Sequence, residues 1–168
     1  MNLQRLFEMQ RQLDAHIEKE HPREPGEDRL AKKILALQVE LGELANELPE
    51  VFKFWSNKKN NREKALKEHV DCLHFILSIA IELGYTVDDL YVWDDELIGK
   101  TEDIFLELMY WVVLLKSKNE QQRKTAFRTI CYIFFNMAEQ RLGFTWKEIE
   151  EAYLRKNAIN HERQNSGY

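Results

Sequence analysis

One segment near the middle of the chain constrains the fold more than any other. Residues 70–81 are apolar almost all the way round a helix, a pattern typical of a helix that other elements enclose. The 168 residues include only six Gly and three Pro, too few for the many turns of a β-sandwich or barrel. We therefore predict an all-α fold, with residues 1–168 forming a single domain that encloses this helix.

Apolar residues that recur at three- and four-residue spacings predict the other helices. Thr86 with Asp89, and Thr145 with Glu148, have the spacing of capping boxes, and Gly84 is positioned to end the third helix. The chain is therefore predicted to form a bundle of about five or six main helices. They lie at residues 3–17, 28–48, 62–83, 101–118, 120–142 and 145–163, with a short helical turn from Thr86 through Tyr91 and Trp93.

The second predicted helix carries an acidic stripe beside its leucines. Glu40, Glu43 and Glu47 are three and four residues apart, so their side chains share one side of the helix. Acid pairs at this spacing are common on solvated helix faces. The stripe alone therefore does not predict a site.

The central helix carries acids where a buried helix should have none. Glu68, Asp71 and His74 follow one another at three-residue spacing and fall near one side of it. A buried carboxylate without a partner is costly, so Asp71 has to meet a cation, strong hydrogen-bond donors or a wet cleft.

Two antiparallel helices can bring Glu40, Glu43, Glu68 and Asp71 together. Four carboxylates repel one another unless divalent cations lie between them. Oxygen ligands without Cys predict Mg²⁺, with Mn²⁺ as a substitute. The alternative is a cluster of acids paired with Lys and Arg from another helix.

The charge of the chain limits its partners. A formal net charge of −5 and a pI near 5.6 argue against nonspecific nucleic-acid binding and against an anionic membrane surface. No charged-then-apolar leader follows Met1 and no apolar stretch is long enough to span a bilayer, so we expect a cytoplasmic protein. Cys72 and Cys131 lie in apolar helical segments and are expected to be reduced and buried.

The acids occur as Glu40-x-x-Glu43 and Glu68-x-x-Asp71. This order resembles the metal-binding signature of the all-α NTP pyrophosphatases, which include MazG-type enzymes, dCTP pyrophosphatases and dimeric dUTPases. Further segments resemble the dimeric dUTPase family, at residues 39–47, 52–56, 70–75 and 156–168. The resemblance implies a homodimer that hydrolyses dUTP, and often dUDP, to dUMP with Mg²⁺ bound to the four acids. Glu43, with Glu40 as the second catalytic candidate, is expected to orient the attacking water.

The same resemblance implies roles for the C-terminal segment. Lys156 and Arg163 are expected to hold phosphates, and Tyr168 to close over the nucleotide. Asn160 is expected to help read the base, because its amide, like that of Gln10, carries both a donor and an acceptor. Lys156, Asn160 and Arg163 share one helical face, although a cationic face is also common at a solvated helix C-terminus.

Other residues are expected to contact the base. Phe75 is the expected stacking surface and Trp55 a pocket wall, although an aromatic residue is more often part of a core. Gln10 and Asp14 lie one turn apart on the first helix and suggest an inward polar pair. Some members of the family carry a Gln and an Asn here for uracil, and this chain has Asp14 near the expected Asn. His74 is expected to contact substrate; the alternatives are a core histidine with its own hydrogen bonds or a histidine that orients a neighbouring site residue.

Two other functions stay open at this point. One is a MazG-like or dCTP-directed pyrophosphohydrolase, which shares the four acids, and the other is a helical interaction module without activity. A homodimer is also favoured by residues 104–115 and 130–137, whose apolar content exceeds what one helix face needs to bury.

Overall fold

The computed structural model describes residues 1–90 and 94–167. All regular elements in these two ranges are helical, which confirms the predicted all-α class. They are α1 (Leu3–Glu20), α2 (Arg29–Asn46), α3 (Pro49–Phe52), α4 (Arg62–Glu82), a 3₁₀ turn (Val87–Asp89), α5 (Thr101–Leu114), α6 (Glu120–Gln140) and α7 (Trp146–Asn165). The described ranges hold seven α-helices rather than five or six because α3 is an extra single turn. It begins at Pro49, a residue favoured at the first position of a helix.

The predicted helix ends agree with the observed ones to within a few residues. Gly84 and Gly143 adopt left-handed φ angles of 70° and 64° just after α4 and α6, as expected of residues that end a helix. The capping box at α7 is confirmed. The Glu148 N–H donates to the Thr145 hydroxyl at 3.2 Å, and the Thr145 N–H donates to the Glu148 carboxylate at 2.9 Å.

The second predicted capping box is also present. The Thr86 N–H donates to the Asp89 carboxylate at 3.1 Å, and the 3₁₀ turn Val87–Asp89 follows. The predicted continuation of this turn through Tyr91 and Trp93 lies outside the described residues.

Helix α4 lies at the centre of the molecule, as its composition predicts. It packs against α1, α2, α6 and α7. From Glu68 to Ala80 every residue except Phe75 is buried. Polar side chains in this stretch are therefore enclosed by neighbouring helices and must find partners there.

Helix α2 runs antiparallel to α4. The Asn61 N–H, just before α4, donates to the Glu47 carbonyl just after α2, at 2.8 Å. Lys33, near the start of α2, donates to the Ser78 carbonyl near the end of α4, at 3.4 Å. Glu40, midway along α2, is therefore level with the middle of α4.

Helices α1 and α7 run parallel to α4. Arg62 at the start of α4 pairs with Glu148 at the start of α7, at 2.9 Å. Further along, Lys156 of α7 reaches Asp71 of α4. On the other side, Gln10 of α1 contacts His74 at 2.7 Å, and the next turn of α1 contacts the next turn of α4. Three helices, α1, α2 and α7, thus pack around the middle of α4.

The two apolar-rich segments differ in their surroundings. Residues 130–137 in α6 are buried within the chain except for Tyr132, so this segment leaves little apolar surface for the expected homodimer. Residues 104–115 in α5 do leave such a surface. Helices α2 and α5 pack together and expose a set of large apolar side chains, which we term the α2/α5 apolar face: Leu35, Val39, Leu106, Tyr110 and Val113.

Two smaller predictions concern the thiols and the membrane. Cys72 and Cys131 are free and buried, as predicted. Across the described ranges, no helix has the length and apolar content needed to cross a bilayer.

Candidate active site

Three carboxylates meet where α2 passes the middle of α4. Glu40 comes from α2, and Glu68 and Asp71 come from successive turns of α4. One oxygen from each lies within 4.8 Å of the other two. Glu68 and Asp71 are each only 7% exposed, so little water reaches them. We refer to these three residues as the acid cluster.

The fully ionised state of the acid cluster is unfavourable. Burial and the nearby charges of Asp71, Glu43 and Glu68 raise the pKa of Glu40 to about 7. Burial also raises the pKa of Asp71, even though a lysine lies against it. A carboxyl whose pKa is raised in this way lacks compensating positive charge.

Two lysines partly compensate the acid cluster. The Lys156 ammonium group lies 2.6 Å from the Asp71 carboxylate. Lys67 lies 2.8 Å from Oε1 of Glu68 and 3.9 Å from Asp71. The alternative of acids paired with a lysine from another helix is therefore realised in part. It is not complete, because Oε2 of Glu68 is buried without a hydrogen-bond partner among the described residues.

The acid cluster fits a divalent cation. Its ligand atoms are all carboxylate oxygens, which Mg²⁺ and Mn²⁺ prefer. Oxygens on opposite sides of one Mg²⁺ are about 4.2 Å apart, so a spread of 4.8 Å needs only a small movement of the side chains. The unpartnered Glu68 oxygen is an additional ligand position.

Glu43, the fourth predicted acid, stands at the edge of the cluster. It lies one turn after Glu40 on α2 and its side chain is exposed. Its charge is close enough to raise the pKa of Glu40. Glu43 is therefore next to the three buried acids but more open to water.

A pocket of about 180 Å³ begins at the acid cluster and follows α4 toward its C-terminal end. Nine of the residues that the sequence predicts for the site line it: Gln10, Asp14, Glu40, Asp71, His74, Phe75, Lys156, Asn160 and Arg163. Leu13, Ile17 and Ser78 complete the lining. Acids, cations, amides and an aromatic ring from four helices therefore share one cavity.

A larger pocket of about 780 Å³ adjoins the first one. The two pockets share the side chains of Asp14, Ile17, Phe75 and Ser78. Phe75 is half-buried and forms part of both walls. A ligand longer than the small pocket can therefore extend past Phe75.

Asp14 is fixed by three donors. Its carboxylate accepts hydrogen bonds from Nε2 of Gln10 at 2.7 Å, from the Ser78 hydroxyl at 2.7 Å and from Lys33 at 3.2 Å. The predicted inward pair of Gln10 and Asp14 is thus confirmed. Lys33 supplies positive charge to this half-buried carboxylate.

Gln10 has fewer hydrogen-bonding groups free for a ligand than its residue type suggests. Its Oε1 accepts from the Tyr153 hydroxyl at 2.8 Å and from Nδ1 of His74 at 2.7 Å. Both lone pairs of the amide oxygen are therefore used within the protein. Only one N–H of Gln10 remains, so it cannot present both a donor and an acceptor to a base.

His74 is both a core residue and part of the pocket wall. Its ring stacks on Tyr153 with the ring centres 4.0 Å apart. Burial and the nearby charge of Lys156 lower the pKa of His74 to about 3, so the ring is neutral at physiological pH. It is 5% exposed.

The structure does not bring every predicted residue to the pocket. The Trp55 side chain is 65% exposed, packs edge-on against Phe54 and Phe52, and does not line the pocket. Its role as a pocket wall is therefore absent from this single chain. Tyr168 lies outside the described residues.

Four contributing residues were not predicted from the sequence. They are Lys33, Lys67, Ser78 and Tyr153. Ser78 follows His74 by four residues and Lys67 precedes Asp71 by four, so helical spacing could have identified both. Lys33 and Tyr153 lie on other helices, and no spacing within one helix indicates their contacts.

Two comparisons with known proteins bear on this arrangement. A family model described as dUTPase matches residues 2–168. A search of curated proteins found no match.

Proposed function

This chain belongs to the dUTPase family, and on that premise we propose how its site acts on dUTP. The chain is a dUTP diphosphatase, a hydrolase that converts dUTP to dUMP and pyrophosphate. The observation that carries the proposal is the acid cluster, three carboxylates within 4.8 Å beside a pocket that also holds cations and amides.

We assign the acid cluster to Mg²⁺, with Mn²⁺ as a substitute. Glu40, Glu68 and Asp71 are the proposed ligands, and Glu43 is the proposed fourth. A bound divalent ion lowers the pKa of a water molecule and offsets the charge of the phosphates. The raised pKa of Glu40 supports this assignment, because a cation replaces the proton that the carboxyl otherwise holds.

The substrate is proposed to lie along α4. Its phosphates are next to the acid cluster, where Lys156 offers an ammonium group within the pocket. The nucleoside extends toward Ser78 at the other end of the pocket. Arg163 is seven residues after Lys156, about 10 Å along α7 in the direction of the nucleoside, so this placement does not account for its predicted phosphate contact.

Glu43 is proposed to hold the attacking water. It is the acid of the group most open to solvent, and it lies one turn from Glu40. Its carboxylate can accept a hydrogen bond from the water and orient it toward phosphorus. Glu40 is the second candidate, because a carboxyl with a pKa of about 7 can exchange a proton near neutral pH.

Base reading is assigned to Asn160, with stacking by Phe75. Both side chains line the pocket. In residues 1–90 and 94–167 the Asn160 amide has no hydrogen-bond partner, so its donor and acceptor are both available, in contrast to those of Gln10. We expect Asn160→Ala to lower kcat/KM for dUTP by about 10-fold or more while leaving metal affinity unchanged.

We further propose that the chain forms a homodimer through the α2/α5 apolar face. Leu106, Tyr110 and Val113 are each about 60% exposed and follow one another at helical spacing. Light scattering should then report about twice the chain mass of 20.2 kDa. Val113→Glu should give a monomer, whereas Ile159→Glu on α7 should not. A wild-type monomer at micromolar concentration rules this face out as a stable interface.

One assay tests the assigned activity. The protein is incubated with Mg²⁺ and dUTP, dUDP, dCTP or dTTP, and the monophosphate and pyrophosphate are measured. We expect dUTP to be used most efficiently, and use of dUDP stays a prediction. Equal use of dCTP would indicate a broader pyrophosphohydrolase, and no turnover of any nucleotide would indicate an interaction module. A cytoplasmic location also stays a prediction.

A further inference from the structure

One buried atom in the pocket wall lacks a partner. In the described part of the chain, Nε2 of His74 is buried and makes no hydrogen bond. Burying a polar atom without a partner is costly, so an unpartnered atom in the wall of a pocket points to a ligand that supplies the partner. Because the His74 side chain lines the pocket, a bound ligand is the natural source of the missing partner.

The hydrogen-bond network determines what Nε2 can do. The Asp14 carboxylate can only accept, so the Gln10 amide must direct its NH₂ group toward Asp14. Oε1 of Gln10 then faces His74, and an amide oxygen cannot donate. Nδ1 of His74 must therefore carry the proton, which leaves Nε2 with a lone pair.

Nε2 is an acceptor and not a general base. Burial and Lys156 lower the pKa of His74 to about 3, so the ring does not take up a proton near neutral pH. Lys33 also donates to the Asp14 carboxylate, the group that accepts from Gln10. A ligand that binds Nε2 must supply a donor.

The position of His74 along α4 indicates which donor of dUTP lies next to Nε2. The donors of dUTP are the 3′-hydroxyl of the deoxyribose and N3–H of the uracil. His74 is three residues past Asp71, about 4.5 Å along the helix, whereas Ser78 is about 10 Å past it. The deoxyribose directly follows the phosphates in the nucleotide and the base comes after it. His74 is thus level with the sugar, and Ser78 with the base.

We propose that Nε2 of His74 accepts a hydrogen bond from the 3′-hydroxyl of the deoxyribose. His74 is then a binding residue that selects nucleotides with a free 3′-hydroxyl. This inference rests on the proposed placement of the phosphates at the acid cluster and of the nucleoside along α4. It leaves base reading to Asn160, the remaining N–H of Gln10 and the end of the pocket near Ser78.

The test removes one oxygen from the substrate. We compare kcat/KM for dUTP and 2′,3′-dideoxy-UTP in the wild type and in His74→Asn. The Asn amide can place an N–H near the position of Nδ1 and keep the bond to Gln10, but it has no atom at Nε2. The wild type should prefer dUTP by about 10- to 100-fold, and the variant should lose most of that preference.

Two controls accompany this comparison. His16→Asn makes the same change at a half-buried histidine outside the pocket and should keep the wild-type preference. The ratio of dUTP to dCTP use should be unchanged in His74→Asn. If that ratio falls instead, while the 3′-hydroxyl preference persists, Nε2 contacts the base and the proposal is wrong. If neither ratio changes, it is also wrong.

A binding measurement separates this inference from the proposed activity. Long-range ¹H–¹⁵N NMR of the wild type follows the Nε2 signal of His74 as dUMP or 2′,3′-dideoxy-UMP is added. The signal should move to lower ¹⁵N frequency with dUMP and stay in place with the dideoxy nucleotide. Equal shifts with both nucleotides, or none with dUMP, overturn the inference even if dUTP is hydrolysed. Absence of turnover with a selective dUMP shift contradicts the proposed activity alone.

Discussion

The two halves of α4 differ in how far neighbouring cations compensate the charge of their acids. At the acid cluster, carboxylates face one another, and the pKa of Glu40 is raised to about 7. About three to four turns further along, Glu82 accepts two hydrogen bonds from Arg23, at 2.8 and 2.7 Å, and pairs with Lys33 at 3.1 Å. These cations lower the pKa of Glu82.

This difference distinguishes acids whose charge is left for a ligand to compensate from acids whose charge is compensated by side chains of the same fold. The charge of Glu82 is matched by side chains of this chain, and so is that of Asp14 through Lys33. The acid cluster has two lysines for three carboxylates and one buried oxygen without a partner in the described ranges. Unbalanced charge in a folded protein indicates a binding site more reliably than acidity alone does.

The largest expected effect is the loss of activity at the acid cluster. Asp71→Asn removes a proposed metal ligand and should lower kcat/KM for dUTP by at least about 100-fold. The metal-free variant should be no less stable than the wild type in thermal unfolding, because one of the mutually repelling charges is gone. An active Asp71→Asn variant would contradict the assignment of this residue.

The opposite half of α4 should respond in the opposite way. Lys33→Met leaves Asp14 and Glu82 with fewer donors and should lower the free energy of unfolding by about 1–3 kcal/mol in urea titrations. Lys32→Met, at the neighbouring exposed lysine, is the matched control and should change stability little. Equal effects of the two substitutions would mean that the Lys33 pairs do not support the fold.

The sequence predicted one of these halves better than the other. Glu68, Asp71 and His74 were found because a single apolar helix made them conspicuous. The pairing of Lys33 with Asp14 was not found, since it joins two helices whose relative register is set by packing of the whole bundle. Spacing within one helix carries no information about such contacts.

Trp55 marks the limit of prediction by resemblance. The family resemblance gave it a place in the pocket wall, but in the single chain it is exposed. The short helix α3 beside it was missed because four residues are too few to show a helical period. Predictions held best for the buried helix and least well for this exposed segment.

Removal of metal should expose a pH dependence at the acid cluster. The folded-state pKa of Glu40 is raised from an ordinary value of 4.5 to about 7, so its protonated form favours the fold. That contribution is complete below about pH 4.5 and is lost as pH rises through 7. With EDTA present, Glu40→Gln should therefore have a Tm about 2–4 °C above wild type at pH 8, allowing for solvent screening, and an equal Tm at pH 4.

A reversed order, with the wild type more stable than Glu40→Gln at pH 8, would mean that the charged carboxylate has partners that compensate it. The lysines alone would then compensate the charge of the acid cluster, as cations already compensate the charge of Glu82 at the other end of α4.

The smallest expected effect lies between α1 and α7. Nδ1 of His16 and Nδ1 of His161 are 2.9 Å apart, so one must donate and the other must be unprotonated. Burial and His16 lower the pKa of His161. The contribution of this pair to stability is therefore present above about pH 6.5 and is lost as pH falls.

Hydrogen exchange of the last turns of α7 measures this loss. Between pH 7.5 and 5.5 the wild type should lose about 1 kcal/mol of local protection at most, and His161→Gln should lose less. A larger loss in His161→Gln than in the wild type would show that the histidine pair is not the source.

The metal requirement of dUTP hydrolysis tests the central claim most directly. Pyrophosphate release from dUTP is measured with metal-stripped protein as Mg²⁺ is added back. We expect no release without metal, a saturable rise with Mg²⁺ in the wild type, and no rise in Asp71→Asn. Release of pyrophosphate by the metal-stripped wild type would contradict the account, because the acid cluster would then be active without the cation for which its charge and geometry are suited.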